Sequence, residues 1–209
     1  MTRILPAILI ASMSVAAWAQ DVSEPITASQ RAEWVLKRTL GPTTLLFTAF
    51  DAGLGTWRDS PYELGPHWTG FAQRYGLHVA DTALATGIEA SVGALWGEDP
   101  RYRRAPEKSF RGRVGNVFRM TVVSHDSSGR EMPAYARFIA VPGAAFISNT
   151  WKPDSENSSV DALNRIGFSI ATHVLANAYT EFWPDVKAKV FHHGTGSPNV
   201  AGNPADLHR

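Results

Sequence analysis

The sequence predicts a mainly α-helical fold, a bundle of about five helices rich in small residues that is preceded by an N-terminal amphipathic helix. Apolar residues recur at helical spacing along most of the chain, and helix-start and helix-stop residues flank these stretches. Gly and Ala recur along several of the predicted helix faces. Hydrophobic residues make up 44% of the 209 residues, which is enough to form a folded domain and excludes wholesale disorder.

Composition excludes several kinds of chemistry. The chain contains no Cys, so it cannot form disulfides, use a thiolate nucleophile, bind zinc or iron–sulfur clusters through Cys, or carry a lipid on an N-terminal Cys. The formal net charge is +1, so no nucleic acid is expected as a partner.

Residues 1–19 have the features of an export signal. Arg3 precedes an apolar run from Ile4 to Val15, and Ala17-Trp18-Ala19 is a small-x-small cleavage site. The apolar run is shorter than the roughly 20 residues that a membrane span needs, which favours cleavage after Ala19 over a permanent anchor.

Residues 20–41 are predicted to form a short leader and the amphipathic helix. Thr27 and Gln30 have the spacing of a capping box, and Gly41 is a helix stop, which places the helix at 28–40. We expect this helix to expose its polar residues and to place its apolar residues against something apolar. The polar set is Gln30, Arg31, Glu33, Lys37 and Arg38, and the apolar set is Trp34, Val35, Leu36 and Leu40.

Residues 42–191 are predicted to form the bundle. Pro42, Gly65-Pro66, Pro133 and the Ser158-x-x-Asp161 capping box are helix starts, and Trp183-Pro184 is a helix end. The five predicted helices are 42–57, 66–96, 108–123, 133–150 and 159–183, with a further turn or two at 185–191. Residues 192–209 lack periodicity and are predicted to be a disordered tail.

Small residues form a row on the longest predicted helix at spacings of four and three. Such a row allows a neighbouring helix to approach unusually closely, and we expect that approach here. The row comprises Gly76, Ala80, Ala83, Gly87, Ala90 and Ala94.

Tryptophan ends four of the predicted helices, at Trp57, Trp96, Trp151 and Trp183. In an antiparallel bundle these residues fall two at each end. That arrangement is typical of a membrane interface, where the ring is apolar and its N–H remains hydrated, although Trp also caps soluble bundles.

Ionisable residues interrupt the apolar helices and are expected to meet on the bundle axis as acid–base pairs, because an unpaired buried charge is costly. We expect Asp81 or Glu89 to contact one of the basic members. The predicted buried polar cluster is Asp51, Asp81, Glu89, Arg137, Arg165 and His173.

A basic block lies between positions 101 and 119, with seven cations against the single acid Glu107. In an exported protein such a block suits anionic lipid, lipopolysaccharide or an acidic partner, unless acids elsewhere in the chain neutralise it. The predicted anion-binding residues are Arg101, Arg103, Arg104, Lys108, Arg111, Arg113 and Arg119.

No catalytic fingerprint is present: the chain lacks a P-loop, a GxSxG elbow, an HExxH pair and a dinucleotide motif. His78, Asp81 and His173 lie on predicted helices and could hold a metal inside a bundle, although three hydrogen-bonded structural residues are the commoner arrangement.

Three strings give a resemblance: Gly97-Glu-Asp-Pro-Arg-Tyr-x-Arg104, Ala145-Phe-Ile-Ser-Asn-x-Trp-x-Pro-Asp-Ser155 and Glu181-Phe-Trp-Pro-Asp185. Over about residues 42–191 the chain resembles a family of exported, uncharacterised proteins of Gram-negative bacteria. The resemblance implies a location in the cell envelope, either outer membrane or periplasm, and implies no catalytic residue.

We therefore expect a non-enzymatic envelope protein without a cofactor or bound metal. Its expected partners are a membrane, anionic lipid or lipopolysaccharide, or further copies of itself through Gly- and Ala-rich helix faces. The alternative is a periplasmic metal-dependent enzyme that uses His78, Asp81 and His173.

Overall fold

The computed structural model describes residues 25–106 and 109–191, and this part of the chain is mainly α-helical, as predicted. The predicted signal peptide, the predicted disordered tail and Lys108 lie outside the described residues. The helices are α1 (Ala28–Leu40), α2 (Pro42–Arg58), α3 (Trp68–Trp96), α4 (Phe110–Val122), α5 (Tyr135–Ile147) and α6 (Ser159–Phe191). Strands β1 (Val123–His125) and β2 (Glu131–Pro133) pair antiparallel between α4 and α5.

The predicted helix starts are present as side-chain caps. Thr27 accepts a hydrogen bond from the Gln30 backbone N–H at 3.2 Å, and the Gln30 side chain accepts one from the Thr27 N–H at 2.9 Å. Ser158 and Asp161 form the corresponding box at the start of α6. These caps satisfy backbone donors that the first helical turn leaves free, so the sequence fixes where these two helices begin.

Helix α3 is the centre of the bundle and packs against α1, α2 and α5. Helix α6 packs against α4 and α5, so α5 lies between the two halves of the molecule. Asp99 pairs with His125 across one end of the bundle, which we call the hairpin end. Glu63 accepts hydrogen bonds from Ser155 at the opposite end.

Two predicted boundaries differ from the structure. The segment predicted as helix 108–123 gives α4 and then enters β1, because the strand-forming Val122-Val123 pair is followed by a tight turn at Asp126 to Gly129. Pro184 was predicted to end the last helix, but α6 continues through it. One turn earlier, the Glu181 carbonyl accepts hydrogen bonds from Arg104 and Arg113, which provide donors where proline disturbs the helical ladder.

The interior of the described part is small and polar. Eight of its eleven buried apolar residues are alanine, and the other three are Val117, Met120 and Val141. No Leu, Ile, Phe, Tyr or Trp within residues 25–106 and 109–191 is buried. The buried polar and charged side chains are Arg, Glu, Asp, Thr, Ser, His and Asn residues. The helices therefore meet through short side chains and hydrogen bonds rather than through a core of large apolar residues.

Helix α1 shows this inversion directly, and the prediction that Arg31 is exposed was wrong. Arg31 is buried and donates hydrogen bonds to the carbonyls of Ala90 and Glu98 at 3.3 and 2.8 Å. Leu36 and Leu40 of the predicted apolar set are exposed, whereas Trp34 and Val35 are half-buried. Part of the apolar face of α1 thus points away from the bundle.

The close helix approach expected along the small-residue row of α3 is also absent over most of its length. A methyl group built at Gly76 or Gly87 meets no atom within 4 Å. The close approach occurs instead at Gly93, where such a methyl would lie 3.3 Å from the Ala136 Cβ of α5. Gly93 is not a member of the row, in which Gly76, Ala80, Ala83 and Ala94 are exposed and only Ala90 is buried.

Within residues 25–106 and 109–191, none of the helices combines the length and apolar character that crossing a membrane requires.

Candidate functional site

A buried polar cluster at the bundle centre joins three helices. The Arg137 Nε donates to Glu89 Oε1 at 3.0 Å, and its Nη1 donates to the carbonyls of Met120 and Thr121 at 2.8 and 2.9 Å. Glu89 is only 3% exposed. This is the expected contact between an acid and a base of the predicted cluster, and it connects α3, α5 and the end of α4.

His173 belongs to the same region through an arginine that the sequence analysis had placed on the surface. Arg38 Nη2 and His173 Nδ1 lie 3.2 Å apart, which links α1 to α6. Burial, reinforced by the charges of Arg38 and Arg137, holds the pKa of His173 well below its ordinary value. The ring is therefore neutral at pH 7, and its Nδ1 accepts a hydrogen bond from the guanidinium.

The other three members of the predicted cluster lie elsewhere, so the expectation that all six meet on one axis was wrong. Asp51 pairs with His78 at 3.0 Å, and Asp81 pairs with Lys152 at 2.7 Å. Arg165 donates to the carbonyls of Glu156 and Ala145. Asp51 has its partner within α3, whereas Asp81 and Arg165 have partners at the end of α5 or in the loop that follows it, and loop positions could not be placed from helical periodicity.

The residues of the alternative metal site are also separated by their contacts. His78 faces Asp51, Asp81 accepts hydrogen bonds from Trp151 and Lys152, and His173 faces Arg38. No group of three His, Asp or Glu side chains in the described ranges is arranged to hold a metal ion.

A cavity of about 200 Å³ opens at the end of the bundle opposite the hairpin, between α2, α3 and the segment that follows α5. Its lining contains the Asp51–His78 pair, Arg58, Lys152 and Glu156, together with leucines from α2 and α3. Burial lowers the pKa of His78, and the nearby Asp51 carboxylate opposes this shift. The cavity thus carries both signs of charge beside an apolar wall.

Five of the seven members of the basic block are paired with acids of the same chain, which is the alternative that the sequence left open. Asp99 pairs with Arg101 at 2.7 Å and lies 3.9 Å from Arg103. Glu181 and Asp185 pair with Arg104 and Arg113, and Glu131 pairs with Arg119. Arg111 is exposed. Asp99 and Glu131 flank the block in the sequence, whereas Glu181 and Asp185 come from a distant helix. Anion binding by the block stays a prediction.

Two buried glutamates organise the hairpin end and were not selected from the sequence. Glu181 is 1% exposed and accepts hydrogen bonds from the Tyr102 hydroxyl at 2.8 Å, the Ala105 N–H at 3.1 Å and Arg113 Nε at 2.9 Å. Burial and hydrogen bonding to Glu181 raise the pKa of Tyr102. Glu98, also 1% exposed, accepts from Trp96 Nε1 and the Ala136 N–H, both at 2.9 Å. The only sequence signal was their presence in the resemblance strings.

The outer surface has the opposite character. Large apolar side chains are exposed on every helix of the described part, and examples are Leu46, Phe50, Phe118, Phe138 and Phe168. No exposed position of α3 or α5 carries a charged residue, and on α6 none does between Val160 and Thr180. Helix α3 alone presents an uncharged outer face over about 43 Å, at 1.5 Å per residue.

Tryptophan lies at both ends of this uncharged surface. Trp57, Trp68 and Trp151 are at the end that holds the cavity, and Trp96 is at the hairpin end. Trp96 and Trp151 donate their indole N–H to Glu98 and Asp81, while their rings remain partly exposed. Each ring thus lies where the uncharged surface meets a charged end.

Comparison with protein-family models, curated proteins and solved structures finds no match to this chain. The resemblance to exported Gram-negative envelope proteins therefore stays a prediction.

Proposed function

We propose that this chain is a non-enzymatic protein of the cell envelope, and that its bundle associates with a membrane by placing its apolar outer surface against lipid acyl chains. One observation carries the proposal: within the described residues, no Leu, Ile, Phe, Tyr or Trp is buried and many are exposed, whereas the buried residues are mostly small or polar. Scattered apolar residues are ordinary on a soluble protein, but soluble proteins also bury many of them.

The energetics favour an apolar surrounding. Transfer of a Leu or Phe side chain from water into an apolar environment stabilises by about 1.5–3 kcal/mol, and the described helices do not obtain this free energy by burying such side chains in their own core. Contact with lipid acyl chains would provide the same stabilisation. The paired charges in the interior fit the same surrounding, because ionisable groups in membrane-associated bundles face inward and pair with one another.

Lipid suits this surface better than a second copy of the chain. The exposed apolar residues occur on all six helices rather than on one face, whereas a two-fold dimer covers a single self-complementary patch. The Trp residues at both ends have the distribution that membrane interfaces favour.

Flotation with phosphatidylcholine vesicles tests the proposal. The mature chain should float with the vesicles at both low and high salt, because the contact is apolar and the basic block is paired internally. A chain that stays at the bottom of the gradient as a monodisperse dimer or larger assembly would contradict lipid contact and favour self-association. A chain that floats with these vesicles only at low salt would contradict apolar contact and favour electrostatic binding to the headgroups.

A further inference from the structure

The cavity opposite the hairpin end contains an unused pair of opposite charges. Arg58 and Glu156 both line it. Neither forms an ion pair with any residue in the described ranges, whereas the other charged side chains of the lining are paired: Asp51 with His78, Lys152 with Asp81 and Arg74 with Asp59. Among the described residues, the cavity lining therefore contains one cation and one anion that form no ion pair.

The walls of the cavity are held in place by specific hydrogen bonds. Arg74, which is buried, donates to the carbonyls of Ser60, Pro61 and Gly65 at 2.9, 2.7 and 2.7 Å, and so fixes the turn between α2 and α3. Ser155 donates to Glu63 through its N–H and hydroxyl at 2.9 and 2.8 Å, which fixes the segment that carries Glu156. A site with preformed walls loses little conformational freedom when a ligand binds.

We infer that this cavity binds a zwitterionic phosphoethanolamine group, with the phosphate at Arg58 and the ammonium at Glu156. The assignment deepens the proposed membrane association and rests on it for the source of the ligand. Arg is well suited to bind phosphate oxygens through two parallel N–H groups, and an ammonium donates hydrogen bonds to a carboxylate. Asp51 adds a second carboxylate to the wall for the ammonium.

The position of the cavity favours a lipid headgroup over a free metabolite. Helix α2 contributes Asp51, Leu54 and Arg58 to the lining, and Phe50 and Trp57 are exposed on the neighbouring face of the same helix. A headgroup in the cavity would leave its acyl chains beside that exposed apolar face. Phosphatidylcholine has the same phosphate, but its trimethylammonium has no N–H to donate, so the carboxylates distinguish the two lipids.

Titration of the detergent-solubilised full chain with soluble headgroups tests the site itself. Glycerophosphoethanolamine should bind, whereas glycerophosphocholine, glycerol phosphate and ethanolamine should each bind at least about tenfold more weakly, because each lacks one of the two interactions. Arg58→Gln and Glu156→Gln should each weaken glycerophosphoethanolamine binding by about tenfold. Arg111→Gln, at an exposed cation on α4, and Asp154→Asn, in the same turn as Glu156, should not.

Vesicle flotation then distinguishes the source of the ligand. Adding phosphatidylethanolamine to phosphatidylcholine vesicles should increase recovery of the wild-type chain and not of the Arg58→Gln variant. If the headgroup binds but the vesicle preference is absent, the ligand is a soluble phosphoethanolamine compound and not a membrane lipid. No binding of glycerophosphoethanolamine, or equal binding of all four compounds, would refute the assignment of the cavity as a phosphoethanolamine site. Flotation with phosphatidylcholine alone tests the proposed membrane association independently of this site.

Discussion

Replacement of Arg137 by methionine tests whether the polar interior holds the bundle together. The substitution keeps an unbranched side chain but removes the donors to Glu89, Met120 and Thr121. Glu89 is then left buried without its ion-pair partner, and two carbonyls lose a donor. Breaking a buried pair by removal of one member costs about 3–5 kcal/mol, and uptake of a proton by Glu89 can relieve part of that cost.

The expected effect is a fall in the thermal midpoint of roughly 10 °C, because 1 kcal/mol shifts the midpoint of a domain of this size by about 2–4 °C. Circular dichroism of the detergent-solubilised chain measures it. Arg111→Met is the matched control, since Arg111 is exposed, and its midpoint should stay within about 2 °C of wild type. If Arg137→Met melts with the control, the buried pair does not stabilise the fold and the reasoning is refuted.

Three further predictions follow from single contacts. Gly93→Leu should destabilise the bundle by about 1–3 kcal/mol, because a Cβ at position 93 would lie 3.3 Å from the Ala136 Cβ. Gly87→Leu should leave the denaturation midpoint unchanged, because a Cβ there meets no atom within 4 Å. Equal effects in denaturant titrations would contradict close packing of α3 and α5 at Gly93. Glu181→Gln should cost about 1–3 kcal/mol and speed proteolysis within 101–106, and an unchanged digestion pattern would argue against its role at the hairpin end. Burial and two guanidiniums hold the pKa of His173 low in the folded chain, so the free energy of unfolding should be highest above about pH 6.5 and fall below it, where the ring takes up a proton in the unfolded chain. His173→Gln should flatten this pH dependence in thermal melts between about pH 7 and 5. An unaltered dependence would exclude His173 as its origin.

Helix positions could be predicted from the sequence because their signals are local. The Thr27–Gln30 and Ser158–Asp161 boxes act within one turn, and both caps are present. Pro184 shows where a local rule fails, because Arg104 and Arg113 reach its turn from a distant part of the chain.

The direction that each helix faces could not be predicted from apolar periodicity alone. Periodicity identifies the apolar residues of α1 but not what they face: Leu36 and Leu40 are exposed, and Arg31, which was expected to be exposed, is buried. The expectation that charged side chains are exposed depends on water as the surrounding solvent. When the interior is built from alanine and paired ions, the same pattern indicates an outward apolar face.

The candidate site was predictable only in part. The Glu89–Arg137 contact was expected, because two buried opposite charges on apolar helices require partners. The cavity could not be expected, because Arg58 and Glu156 lie far apart in the sequence and line the same cavity only through the turns that Arg74 and Glu63 hold.

The depth of single labels in a bilayer tests lipid contact most directly. The chain has no Cys, so one environment-sensitive fluorophore can be attached at Phe168→Cys or Ile139→Cys on the apolar surface, and at Arg111→Cys near the charged hairpin end. In vesicles, labels at positions 168 and 139 should be quenched by a lipid-borne quencher and protected from aqueous iodide. A label at position 111 should be quenched by iodide and not by the lipid-borne quencher. Iodide quenching at 168 and 139 equal to that at 111 would contradict the account.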